Sequence, residues 1–371
     1  VDGNGTPRVI IGPDEQSEDL DAEPASGVVL SDLLHADKPS TALDYEYDLG
    51  DGWTHQVELI GPAELPVGEV VCVDGANRGP VEDSGGPHGY GRLVEILGDR
   101  AHPEYQDASY WTFMTTGEYS PAAFDATDFD LGAANRKLRL LSLQWWPRPL
   151  TDEERDAVIR PVRWLLEKAA GGLELTKDGY LKPATVQSAL DELGWRDGVL
   201  GKGNREANAI QVRELREHLL AWKLLRKFKG SLVLTPRGKR GLERPGDLWD
   251  YVVESIARPE HDAVRLATRL YTEWHLSGIA PPSTHRFEVI RDAVEAAGFV
   301  TRSGHRIPDD WVTDINRVVM WNLKCLHVMA PKVRYRDRAL LTDGGVKFLL
   351  EVREIDAVFS RSRSQEAGPV I

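Results

Sequence analysis

Four carboxylates at two places in the sequence could act together. Asp48 and Asp51 stand in YEYDLGDGW, and Glu82 and Asp83 open the glycine-rich run EDSGGPHGY. If the second stretch folds over the first, two or three carboxylates would offer hard oxygen ligands for Mg²⁺ or Ca²⁺ with water. A metal-assisted hydrolase would follow from that arrangement. Tyr47, Trp53, His88 and Tyr90 flank the same positions and complete a candidate ligand-binding set. The same residues also support a reading without any ligand. Asp48 and Asp51 would accept turn hydrogen bonds, Glu82 and Asp83 would cap the helix that follows, and the rings would pack. This second reading is preferred, and no catalytic residue, metal ligand or cofactor is assigned. Neither His55 nor His88 has an evident serine or cysteine partner. The GGPHG run lacks the lysine of a phosphate loop.

The second candidate chemistry is electrostatic. Arg213, Arg216, Lys223, Lys227 and Lys229 crowd one stretch, and Arg237 follows; Lys202, Arg205, Arg226, Lys239 and Arg240 add to the cluster. Such a run could contact duplex DNA through residues 205–240, with a helix in the major groove and a hairpin on phosphate. The plainer alternative is a solvated helix face, because Glu214 and Glu217 are interleaved. If the DNA reading holds, Arg213, Arg216, Lys223, Lys227 and Lys229 should form one exposed surface that is not paired with those two glutamates. A protein partner is the other expectation.

The elements that must hold these residues follow from period and punctuation. Tyr45, Tyr47 and Leu49 alternate with Glu46 and Asp48, and Trp53, His55, Val57 and Leu59 alternate after the turn. The pattern predicts antiparallel strands over 45–49 and 53–60, joined through Gly50 and Gly52, with Tyr45, Tyr47, Trp53 and Val57 on the buried side. Leu93, Ile96 and Leu97 predict the inner face of a helix that begins near Gly85, Gly86 and Pro87. Leu131, Ala134, Leu138 and Leu141 recur at helical spacing. Thr151 and Glu154 have the spacing of a capping box.

An internal repeat appears beyond residue 150. LELTKDGYL, LVLTPRGKRGL and ALLTDGGVKFL share L-T-x-x-G at Thr176, Thr235 and Thr342. Each copy predicts a strand ending in Leu, then a Thr that caps the next helix. Apolar helices over 212–228 and 318–329 precede the last two copies, and KLLRKFKGSLVLT predicts two strands around Lys229 and Gly230. That order is the order of a winged helix-turn-helix, and the third copy has a longer wing.

Composition sets the outer bounds. The chain has 371 residues, 41% hydrophobic and 28% charged, with a net charge of −14. Residues 1–150 carry 9 Lys and Arg against 27 Asp and Glu, and the rest carries 36 against 32. An acidic first part repels nucleic acid, while the slightly basic remainder permits it. Two cysteines, Cys72 and Cys325, exclude a disulfide framework and a cysteine-rich zinc site. A cytoplasmic protein with no membrane segment is the expectation.

Residues 45–138 resemble the plasmid pRiA4b ORF-3-like family. The resemblance rests on Tyr45 through Trp53, on Cys72 followed by Glu82 through Tyr90, and on Phe129, Asp130, Asn135 and Leu138. It implies an α+β domain with a mixed sheet and flanking helices, and no established activity. Three departures accompany it. Gly79 and Ser84 stand where some relatives carry cysteines, His88 replaces a frequent Trp, and the family's opening strand and helix are expected to be missing. The remainder is similar to the C-terminal part of TnpR-type passenger proteins of insertion elements, which implies a mobile-element setting. The expected organisation is an α+β domain over 1–148, then a mainly α region with winged-helix-like units over 149–250 and 251–371.

Overall fold

The computed structural model describes residues 10–11, 23–24, 27–29, 33, 41–61, 63–65, 69–116, 124–196, 199, 205–278, 280–281, 283–301, 304–330 and 340–366. Lys202 and the longer wing expected in the third repeat lie outside these residues, as does most of the stretch before residue 41. The chain divides into two compact units, one of Val1–Val67 with Ala76–Phe129, the other of Gly68–Gly75 with Asp130–Ile371.

The first unit is α+β. Strands β1 (Ile10–Ile11) and β2 (Glu23–Pro24) form a short parallel pair. Strands β3 (Thr41–Tyr47) and β4 (Trp53–Leu59) form an antiparallel ribbon in which Tyr47 faces Trp53 and Tyr45 faces His55. Among the described residues these are two separate pairs rather than one mixed sheet. The hairpin turn needs left-handed backbone at Asp48 (φ 56°) and Gly52 (φ 65°), and the Gly52 N–H donates to the Asp48 carbonyl. Aspartate and glycine are residues that tolerate this region.

Helices α1 (Gly86–Gly98) and α2 (Tyr105–Thr116) follow. Val81, Leu93 and Leu97 make a small core with Tyr90, Ala108, Trp111 and Phe124 packed on it. The expected buried face of the ribbon is corrected here. Tyr45, Tyr47 and Val57 are 51%, 43% and 38% exposed. The core seats on the turn end of the ribbon, where the Trp53 ring meets Tyr90 edge-on. Alternation therefore reports the strand but not a covering layer.

The second unit is mainly helical. Helix α3 (Leu131–Trp145) opens on Asp130, whose carboxylate accepts from the Ala133 N–H. Leu131 and Leu141, which recur at helical spacing, are exposed, and Leu143 joins the core. The Asn135 amide brackets Cys72, accepting from its N–H at 2.8 Å and donating to its carbonyl at 2.9 Å. This pairing ties Gly68–Gly75 to the helix and gives both motif residues a backbone role.

Helix α4 (Asp152–Ala169) begins with the capping box expected at Thr151 and Glu154. Strand β5 (Leu173–Glu174), helix α5 (Pro183–Glu192) and helix α6 (Ile210–Ala221) come next, then β6 (Leu225–Phe228) and β7 (Ser231–Leu234). The sheet order is β5-β7-β6, antiparallel throughout. Helix α6 stops at Ala221, short of the expected 228, because Lys223 turns left-handed (φ 55°) and sends the chain into β6.

Helices α7 (Pro236–Glu243), α8 (Pro245–Ala257), α9 (Asp262–Ser277), α10 (Ser283–Ala296), α11 (Asp309–Lys324) and α12 (Asp343–Glu366) complete the unit. One hydrophobic core runs from Leu143 to Val352, with Trp249 and Phe348 edge to face inside it. It spans residue 250 without a break.

Two of the three repeat copies share a local geometry. The Thr235 hydroxyl accepts from the Gly238 N–H and donates to the Lys223 carbonyl; the Thr342 hydroxyl accepts from the Gly345 N–H and lies 3.2 Å from the Val328 carbonyl. A side chain at Gly238 would meet the Leu224 carbonyl at 2.2 Å, and one at Gly345 the Val328 carbonyl at 2.0 Å. Thr-x-x-Gly thus caps a helix and admits a passing backbone. The first copy behaves otherwise, a correction to its expected cap. Thr176 accepts from the Tyr180 N–H in a turn closed by Gly179 at φ 80°, and α5 begins only at Pro183.

Candidate functional site

In the first unit, Tyr47, Asp48, Asp51, Trp53, His55, Pro80, Val81, Glu82 and Asp83 line a cleft of about 200 Å³. The 80–83 segment does lie at the hairpin turn, as the carboxylate reading requires. The carboxylates themselves are engaged. Asp48 Oδ1 accepts from the N–H groups of Gly50 and Asp51 at 3.0 and 3.2 Å. Asp51 Oδ2 accepts from the Gly85 N–H at 3.2 Å. A side chain at Gly86 would lie 2.2 Å from the Asp51 carbonyl, so a glycine is required where α1 meets the turn.

The Tyr47 hydroxyl donates to Glu82 at 2.5 Å, and this bond with the glutamate's charge raises the phenol's pKa. Glu82 therefore holds the ribbon rather than capping α1, whose N-cap is Gly85 without a side-chain bond. Tyr90 sits between Trp53 and Phe124, and burial raises its pKa. His88 is exposed and does not line the cleft. Among the described residues, no group of three or more His, Cys, Asp and Glu is placed to hold a metal ion. The fit to a divalent cation is accordingly poor.

In the second unit the expected basic surface is only partly realised. Arg216 is 2% exposed, with Nε on Glu206 at 2.6 Å and Nη2 on Glu217 at 2.9 Å. Arg213 pairs with the buried Glu214 at 3.0 Å. Both pairings contradict the expectation of free cations on α6. The alternation of charge along the helix carried this information, because a glutamate beside each arginine can satisfy it once the face is buried. Arg205 is exposed but lies before α6.

The hairpin and α7 behave differently. Lys223, Arg226, Lys227, Lys229, Arg237, Lys239 and Arg240 are all exposed. None of them forms an ion pair with any described acidic residue, in contrast to Arg139, Arg148, Arg163, Arg265 and Arg269 of the same unit. Arg226 and Lys229 stand 4.9 and 5.4 Å from the Phe228 ring, which is itself 46% exposed. Arg237 lies over Tyr251 and donates to its hydroxyl at 2.8 Å. Phe228 and Tyr251 were not among the expected site residues. The i, i+2 spacing of Arg226 and Phe228 on a strand is the signal for the first; the second comes from a helix distant in sequence.

No described helix is long and apolar enough to cross a membrane. Residues 6–131 match the family model described as plasmid pRiA4b ORF-3-like protein. An uncharacterized protein, y4hQ, of Sinorhizobium fredii (strain NBRC 101917 / NGR234) is 33% identical over 129 residues, covering 33% of this chain and 57% of that protein. The chain thus spans little more than half the length of this relative. No solved structure matches the chain. Residues 6–131, about the first third of the chain, are thus similar to the plasmid pRiA4b ORF-3-like family.

Proposed function

We propose that this is a non-catalytic interaction protein of mobile elements whose second unit binds duplex DNA. The observation that carries the reading is the run of seven exposed cations over 223–240, none of them in an ion pair with a described acidic residue. Cations not neutralised by carboxylates are those free to displace counterions from phosphate. The order α4-β5-α5-α6-β6-β7 with sheet order β5-β7-β6 is the arrangement of a winged helix, and supports the same reading. In it the LELTKDGYL copy supplies the third strand. The metal-assisted hydrolase is not favoured, since Asp48 and Asp51 are spent on the turn.

The test is duplex binding by the full chain at low salt. A Lys227→Glu, Lys229→Glu variant should lose binding. A charge reversal at Arg163, which already pairs with Asp156, should leave it in place. Equal binding by all three proteins would overturn the assignment.

A further inference from the structure

The helix that a winged helix would lay in the major groove is α6, and its surroundings leave it little to read with. One flank packs on α11. The Gln211 amide donates to the Lys324 carbonyl at 2.6 Å, Glu214 lies 3.6 Å from Arg317, and the Cys325 sulfur approaches the Gln211 carbonyl. Another flank carries Val212, Leu215 and Leu219 into the core. Ile210, Glu217 and Ala221 are exposed, and Gln211 and Arg213 are half-buried. The amide and the cation, the groups that recognise adenine and guanine edges, are already engaged, Gln211 by the Lys324 carbonyl and Arg213 by Glu214.

The hairpin presents the opposite chemistry. Phe228 projects from an edge strand with Arg226 and Lys229 against its ring, and Lys227 and Lys223 stand exposed nearby. An exposed phenyl ring costs solvation unless something covers it, and cations beside it remain available to phosphate. An apolar wedge flanked by positive charge is suited to enter a minor groove and part a base step. We propose that this protein engages duplex DNA hairpin-first, with Phe228 inserted at a deformable base step and α6 taking no part in base readout. Such binding selects sequence by deformability, favouring flexible pyrimidine–purine steps, rather than by hydrogen bonds to base edges.

This inference rests on the DNA reading, and its test separates the two. The probe is a short duplex carrying 2-aminopurine at a central TA step, titrated with the full chain. Wild type should bind and raise the 2-aminopurine fluorescence as the step unstacks. Phe228→Ala should bind about tenfold more weakly, the scale of losing one aromatic–base contact. It should give no fluorescence rise while keeping the wild-type salt dependence. Ile210→Ala and Glu217→Gln on α6 should match wild type, and thermal melts establish that each variant is folded. Wild-type fluorescence and affinity in Phe228→Ala would overturn the wedge, as would loss of binding in the α6 variants. Tighter binding to the corresponding single strand would also overturn it. Absence of binding by wild type would instead sink the DNA reading itself.

Discussion

Arg216 and Lys229 carry the same charge thirteen positions apart in one basic stretch, yet the fold uses them oppositely. Arg216 lies inside, against Glu206, whose other oxygen accepts from the Leu181 N–H. The pair thereby fastens α6 to the strand end before α5. Removing Glu206 leaves the buried guanidinium with only the exposed Glu217, so Glu206→Ala should lower stability by about 3 kcal/mol. Urea unfolding of the variant measures this, and a loss well under 1 kcal/mol would contradict the structural role.

A second buried knot gives a pH signature. Burial works against the charged Glu154, but hydrogen bonds from Arg148, Lys347 and the Thr151 N–H outweigh it and bring its pKa from 4.5 to about 2. Lys347 is 5% exposed, and donates to Glu154 at 2.7 Å and to the Pro149 carbonyl at 2.8 Å. A carboxyl with a depressed folded pKa contributes stability above its unfolded value and loses it as pH falls through the folded one. The contribution should therefore be complete above about pH 4.5 and fade toward pH 2. Unfolding midpoints of wild type and Glu154→Gln should converge across that window. Parallel curves would show that Glu154 has no such part.

At the scale of the element, the L-T-x-x-G repeat tests how far a short motif determines structure. At Thr235 and Thr342 the hydroxyl caps a helix and the glycine admits a carbonyl. Thr235→Ala should cost about 1 kcal/mol as a lost cap. Gly238→Ala should cost about 1–3 kcal/mol through the clash with Leu224. Gly246 supplies the control. It lies in the first turn of α8 with nothing within 4 Å of an added side chain, so Gly246→Ala should be neutral or slightly stabilising. Chemical denaturation of the three variants checks the order, and an equal effect at Gly238 and Gly246 would refute it.

The same elements mark what could be read in advance. The hairpins at Gly52 and Gly230, the capping box at Thr151 and the helix after Gly86 were legible because each is written in a few adjacent residues. The burial of Arg216, the exposure of Tyr45 and the turn at Thr176 were not. They depend on what packs alongside: Glu206 on a short helical turn before α6, a core that reaches one end of the ribbon, and the β5-β7 pairing. In the candidate sites the residue types were legible and their placement was not. That the 82–90 stretch would meet the hairpin turn was only a condition of the carboxylate reading, and the partnering of each cation required the fold.

At the scale of the whole molecule, charge is segregated by position and then by pairing. Residues 1–150 hold the whole acidic excess, and the remainder is nearly balanced with a slight basic surplus. Balance alone would give a weak and diffuse field. Ion pairs across much of the helical unit consume its arginines and leave 223–240 as a local positive surface. The salt dependence of duplex binding reads this surface most directly. For the full chain, the logarithm of the binding constant should fall linearly with the logarithm of salt concentration. The double variant Lys227→Ala, Lys229→Ala should reduce the steepness of that line by about two units, roughly one for each phosphate contact removed. An unchanged slope in that variant, or no binding by wild type at low salt, would contradict the claim that these unpaired cations are the binding surface.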